Sequence, residues 1–310
     1  ISMKVSIIGG GGRVGSCAAA ALQCGGVVDE IALLDLNGEA AEGEALDLLH
    51  GSALAADQRI RAVDYAEVVD SDVVVITAGL RREADESRLA LINRNVDLFA
   101  KIIASLKTYR LKDEAIILVV SNPVDILTRL AVERSGRCPD RTIGLGTVLD
   151  SARFSSLIAA EMKLSPTQVK AMILGEHGDS MVPIWSAATV NGFPLTTWPG
   201  MTQGLQNELF KRTQSSGAEV IRRKGGAGWA VGLSIREVVE CIALDRRRVL
   251  TISSAQSGAY GAHKTCLSVP TILGRRGVIK RIEMELWPKE LSGIRASAGA
   301  LDETYRQVAG

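Results

Sequence analysis

His177, in "ILGEHGDSMVP" (173–183), is one of only three histidines in 310 residues and sits among glycines and acids just past an apolar run. An imidazole titrates near neutrality, so it suits a group that takes a hydroxyl proton as a hydride leaves and returns it in the reverse direction. Asp150 and Arg153, in "GLGTVLDSARF" (144–154), are three residues apart and share a face if that segment is helical. Beside an imidazole, the carboxylate would fix the ring tautomer, and the guanidinium would clamp a substrate carboxylate through two parallel bonds. Spacing alone does not pair His177 with Asp150, and an isolated histidine also fits a satisfied core or loop position. Two further polar clusters are "VSNPVD" (120–125) and "GLRREADESRL" (79–89), the second holding three arginines among acids.

A second chemistry lies near the start. "IIGGGGRVGS" contains Gly10, Gly12 and Gly15 in the G-x-G-x-x-G spacing, between an apolar β-branched run and a helical pattern. Such a turn brings backbone N–H groups close to a pyrophosphate at the positive end of a helix. Consecutive glycines alone also fit a plain loop. Asp35, 20 residues after Gly15, stands where a carboxylate accepts hydrogen bonds from a ribose and repels a 2′-phosphate, which predicts NAD rather than NADP.

These residues need a scaffold. "KVSII" (4–8), "EIALLD" (30–35), "DVVVIT" (72–77) and "AIILVVS" (115–121) read as strands buried on both faces, separated by helical patterns at 13–25, 38–51 and 87–108. In the last helix Leu89, Ile92, Val96, Phe99, Ile103 and Leu106 form one stripe. Alternating strands and helices predict a doubly wound parallel sheet. Beyond residue 145, helices at 147–162, 201–223 and 229–243, a strand at 169–174, a β-rich stretch holding "VLTISS" and "CLSVPTIL", and a terminal helix from Leu291 to Val308 predict an α+β half.

Thirty-six basic against 35 acidic residues give a net charge of +1, which predicts a small-molecule partner and neither nucleic acid nor an acidic tail. Five scattered cysteines without metal-ligand spacing predict reduced thiols, no metal and a cytoplasmic setting. No apolar run reaches the roughly 18 residues of a membrane span, and no signal peptide is evident. The first methionine is residue 3, so Ile1 and Ser2 read as a cloning or processing remnant.

The motifs "GGGGRVGS", "LLDLN", "VSNPVD", "GLGTVLDSARF" and "GEHGDS", in this order over nearly the whole chain, resemble the NAD-dependent lactate and malate dehydrogenases. The resemblance implies a Rossmann-type NAD-binding domain over 3–145, a catalytic α+β domain over 146–310, and a homodimer or homotetramer. It assigns the acid–base role to His177, with Asp150 as its partner. Arg153 would anchor the substrate carboxylate, Arg88 would polarise the reacting carbonyl, and Asn122 would reach the nicotinamide and substrate oxygen beside a cis Asn122-Pro123 bond. Gly10, Gly12, Gly15 and Asp35 would hold the adenosine end, and Ala78, Gly79, Asn95, Val120 and Asn122 would line the rest of the cofactor path.

Within the family, Arg82, six residues before Arg88, and the small Ala227 match the malate branch, whereas "ESRL", "NRNVDLF" and "GWAVGLS" look like the lactate branch. A guanidinium enclosed against a methyl group lacks a counter-ion, at a cost on the order of 3–5 kcal/mol. The expectation is therefore a malate dehydrogenase of the tricarboxylic acid cycle acting on a dicarboxylic 2-hydroxy/2-oxo acid. The alternatives are an L-lactate dehydrogenase with an atypical loop and an NAD-binding protein without catalysis.

Overall fold

The computed structural model describes residues 3–80, 83 and 85–309. In chain order the first half runs β1 (Lys4–Ile8), α1 (Arg13–Gly25), β2 (Glu30–Leu34), α2 (Gly38–Gly51), β3 (Arg59–Ala62), α3 (Tyr65–Val68), β4 (Val73–Ile76), α4 (Arg88–Thr108), β5 (Ile116–Val119), α5 (Val124–Arg134) and β6 (Thr142–Gly144). The second half runs α6 (Val148–Glu161), β7 (Val169–Leu174), β8 (Val182–Val190), β9 (Phe193–Pro194), α7 (Gln203–Lys224), α8 (Trp229–Ala243), β10 (Arg248–Leu250), β11 (Ser253–Ser257), β12 (His263–Ser268), β13 (Thr271–Gly274), β14 (Gly277–Arg281) and α9 (Pro288–Ala309).

Among the described residues an eight-stranded sheet has the order β12-β11-β6-β5-β4-β1-β2-β3. Its six first-half strands are parallel, and every residue of β1, β4 and β5 is buried, as helices on both faces require. The strand order reverses direction between β1 and β4, which opens a crevice beyond their carboxyl ends. The turns that follow β1, β4, β5 and β6 all emerge on that side and carry the glycine loop, Thr77 to Leu80, Ser121-Asn122 and Leu145 to Thr147.

The second half builds the wall facing this crevice. β7, β8 and β9 form an antiparallel sheet against which α6 packs, α7 lies on α6, and α8 crosses α1. β11 joins the edge of the large sheet antiparallel to β6, and β12 pairs antiparallel with β11, so the sheet itself is shared by both halves of the sequence. On α4 the apolar stripe is buried from Ile92 to Leu106, while Leu89 at its first turn is exposed. Among the described residues no helix is long and apolar enough to cross a membrane.

Candidate active site

At the cofactor end, the glycine turn is tied down from two sides. Asp35 Oδ2 accepts the Gly11 N–H at 3.0 Å, Asp35 Oδ1 accepts the Asn37 N–H at 3.0 Å, and Thr77 Oγ1 donates to the carbonyls of Ile8 and Gly9. A Cβ on Gly15 would stand 2.2 Å from the Gly9 carbonyl oxygen, so this position must be glycine for α1 to close onto the turn. Gly12 differs, because its Cβ would approach protein only at the Gly9 oxygen, 3.3 Å away. α1 has no side-chain cap. Its first-turn N–H groups therefore open onto the space left by Gly12, a cradle that fits the pyrophosphate of a dinucleotide. The carboxylate of Asp35 at the end of β2 suits the adjoining ribose.

From this turn a cleft of about 710 Å³ runs between the two halves, with Gly79, Val120, Asn122, Asp150, Arg153, His177 and Ala227 among its lining residues. The Asn122-Pro123 peptide bond is cis. Asp150 and Arg153 lie on α6, one turn apart, and His177 lies in the loop after β7, against which α6 packs. His177 Nδ1 meets Asp150 Oδ2 at 2.5 Å, and Arg153 donates from a terminal nitrogen to Asp150 Oδ1 at 3.2 Å. The pairing that spacing could not supply thus comes from helix-on-strand packing. Burial disfavours both charges, but the His177 and Arg153 charges hold Asp150 below the usual carboxylate range. Burial likewise opposes protonation of His177, and the Asp150 charge more than offsets it, holding the imidazole above its ordinary value.

Other sequence-derived positions fall around this cluster. Arg88 is not among the lining residues but pairs with one of them, Asp179, two residues beyond His177, at 2.6 Å, with both side chains largely exposed. Asn95 is buried and meets protein backbone, accepting the Leu80 N–H at 2.8 Å and donating to the Leu91 carbonyl. The Ala78 carbonyl accepts the Ser121 hydroxyl at 2.5 Å, joining the ends of β4 and β5. Arg82 lies outside the described residues. Reasoning from the sequence passed over Thr77, which fastens the glycine turn, and Asp179, the partner of Arg88. Asp179 was within reach, since it sits inside the "GEHGDS" motif.

Residues 3–144 match the model of the lactate/malate dehydrogenase NAD binding domain, and residues 147–309 that of the lactate/malate dehydrogenase alpha/beta C-terminal domain. The chain is 38% identical over 307 residues to an L-lactate dehydrogenase of Synechococcus sp. (strain JA-3-3Ab), covering 99% of each chain. It is 40% identical over 314 residues to an L-lactate dehydrogenase of Kosmotoga olearia, covering 99% of this chain and 96% of the relative. The solved structure of a minor L-lactate dehydrogenase from Enterococcus mundtii, in a ligands-bound form, superimposes with a TM-score of 0.95 at 34% identity, over 99% of this chain and 98% of that one.

The full-length relatives overturn the expectation of a malate dehydrogenase and of a place in the tricarboxylic acid cycle. That expectation gave most weight to Arg82, yet counting along a loop does not fix where a side chain points. The same loop is rich in charge for local reasons, since Arg94 pairs with Glu83 at 2.7 Å and with Glu86 at 2.9 Å. Ala227 lines the cleft, but a small side chain supplies room without supplying a cation. NAD is the cofactor, and a small 2-hydroxy or 2-oxo acid is the class of substrate that fits. The chain belongs to the lactate/malate dehydrogenase family.

Proposed function

We propose that this chain is an L-lactate dehydrogenase, interconverting lactate and pyruvate with NAD. The observation that carries the choice of a monocarboxylic acid is the full-length likeness to L-lactate dehydrogenases, and the described part of the cleft accords with it. Among the described residues lining the cleft the arginines are Arg13 and Arg153, and Arg13 donates to the carbonyls of Lys224 and Gly226 at 2.9 and 3.0 Å. Arg153 serves as the carboxylate clamp, and the lining also includes Ala227, Ile221 and Val231, which suit a methyl group.

In this reading NAD, when bound, accepts the hydride from the lactate carbon. His177 takes the hydroxyl proton at Nε2, because Nδ1 faces Asp150. Asp150 fixes that tautomer and stabilises the imidazolium, while Arg153 holds the substrate carboxylate. Asn122 accepts the Val124 N–H through Oδ1 at 3.3 Å, so its amide N–H groups are available to the substrate oxygen. Arg88 exchanges Asp179 for the substrate carbonyl and polarises it. Gly10, Gly12, Gly15 and Asp35 bind the adenosine end, and Ala78, Gly79 and Val120 line the path to the nicotinamide. Asn95 serves that path through its bond to Leu80.

We also assign the chain a homo-oligomeric state, dimer or tetramer, supported by the apolar Trp229 and Leu233 left uncovered on α8. Its five free thiols suit the reducing cytoplasm. NADH oxidation with pyruvate, with oxaloacetate and with no added acid tests the substrate. The expected result is a higher kcat/KM for pyruvate, and a higher value for oxaloacetate would reject the reading.

A further inference from the structure

Asp125 is a buried carboxylate that the proposed reaction does not touch. It lies in the first turn of α5, is 2% exposed, and accepts the backbone N–H of His177 through Oδ2 at 2.8 Å. Its Oδ1 is buried near the Ser253 hydroxyl on β11, the two standing close enough to influence each other but short of hydrogen-bond geometry, and neither atom has another partner. The neighbouring residue Glu176 has a separate anchor, its N–H donating to Ser297 Oγ on α9 at 2.7 Å. The backbone of His177 itself is thus held by Asp125, from the same end of α5 that carries Asn122.

Burial pushes the Asp125 carboxyl up to about 6, against the opposing influence of Ser253 and of the His177 N–H and charge. A carboxyl raised in this way favours the fold when protonated. Its contribution is fully present below the ordinary value of 3.8 and is lost as the pH rises through about 6. At neutral pH the ionised side chain therefore opposes folding, and a neutral amide of the same shape would suit the packing better. What the geometry gives this carboxylate to do is to hold the backbone N–H of His177.

We propose that Asp125 is a positioning residue: it ties the His177 backbone to the Asn122 end of α5, fixing imidazole and amide relative to each other, and its negative charge supports the protonated imidazole. The proposal rests on the acid–base reading of His177. The charged groups facing that ring are Asp150 and Arg153 from α6 and Asp125 from α5, and those facing Asp125 are His177, Glu176 and the buried thiol of Cys266 on β12. Removing the Asp125 charge leaves Asp150 to support the imidazolium alone, so the ring gives up its proton at lower pH.

The test uses the full chain with Asp125→Asn, Asp125→Ala and His177→Asn. NADH binding is read by fluorescence, thermal unfolding is measured at pH 7, and kcat/KM for pyruvate reduction is followed against pH. Asp125→Asn keeps an acceptor for the His177 N–H. It is expected to bind NADH like the parent, to unfold at no lower temperature, and to move the alkaline limb of the profile to lower pH. Asp125→Ala loses the tether as well, and kcat/KM is expected to fall about 10- to 100-fold through kcat, as for a misplaced catalytic group. An unmoved alkaline limb in Asp125→Asn overturns the proposal, and this variant decides the matter if the alanine form does not fold. Substantial turnover in His177→Asn overturns the acid–base reading and this proposal together. An inactive His177→Asn beside Asp125 variants with parental profiles overturns this proposal alone.

Discussion

The two ends of the cleft are built on different principles. At the glycine turn, backbone atoms do the binding, and side chains matter mostly by being absent or by fastening the turn, as Asp35 and Thr77 do. At the other end the backbone is a support, and the chemistry we propose rests on side chains from separate segments: Asp150 and Arg153 on α6, His177 after β7, and Asp125 on α5. A backbone site is sensitive chiefly to added bulk. A side-chain site is sensitive to charge and to pH. Substitutions at the two ends should therefore fail in separable ways.

The largest effect is expected at the catalytic end. His177→Asn keeps the shape of the ring's neighbourhood but carries no proton between pH 5 and 9, so kcat/KM for pyruvate should fall about 10²- to 10⁴-fold while NADH affinity stays parental. Loss of NADH affinity in equal measure would mean the two ends are not separable. Asp150→Asn comes next, at roughly 10²-fold on kcat/KM, because the amide no longer supports the imidazolium. Its pH profile carries the sign. Pyruvate reduction needs protonated His177, which Asp150 holds above the ordinary histidine value. The parental rate should thus persist above that value and decline as the pH rises through the raised one, and Asp150→Asn should move the decline to lower pH.

Legibility in the sequence follows the same division. β1, the glycine turn, α1 and Asp35 are contiguous or nearly so, and their period and spacing are local properties, so the cofactor end could be read directly. The strands at 4–8 and 169–174 and the helices at 13–25 and 38–51 have the bounds that patterning suggested. Patterning did not single out the short elements β3, α3, β6, β9 and β14, and it also missed two longer ones. α5 buries Val124 through Thr128 on all sides, so its start reads as a short apolar run rather than as one face of a helix. β8 contains Pro183, a residue that argues against a strand, and lacks clean alternation of buried and exposed positions. The first matters for the site, because Asn122 stands just before α5 and Asp125 lies in its first turn. The His177–Asp150 contact spans 27 residues and depends on how α6 lies on β7, which no local spacing encodes. Arg82 shows the opposite risk: a residue type that invites a chemical role carried the substrate assignment away from the one that full-length likeness supports.

At the cofactor end the glycines themselves should divide. Gly15→Ala places a methyl 2.2 Å from the Gly9 carbonyl oxygen, a backbone atom fixed by the turn, so stability should drop by about 1–3 kcal/mol along with NADH affinity. A variant as stable as the parent would show that α1 can retreat from the turn.

The smallest effect on the fold should come from Gly12→Ala. Gly12 has φ −88°, which alanine adopts readily, and the 3.3 Å approach to the Gly9 oxygen asks for a shift of only a few tenths of an ångström. Alanine is a poorer helix N-cap than glycine, but it also lowers the entropy of the unfolded chain, and the two terms oppose each other at about 0.5–1 kcal/mol each. The melting temperature should therefore stay close to parental. The new methyl projects into the cradle beside the uncapped N–H groups of α1, so NADH affinity should fall about tenfold, the 1.4 kcal/mol expected when one good backbone contact to the pyrophosphate is lost. Calorimetric titration with NADH and a melting curve on the same preparation decide it. Parental affinity would remove Gly12 from the cofactor site, and lowered affinity with lowered stability would make it a packing glycine like Gly15.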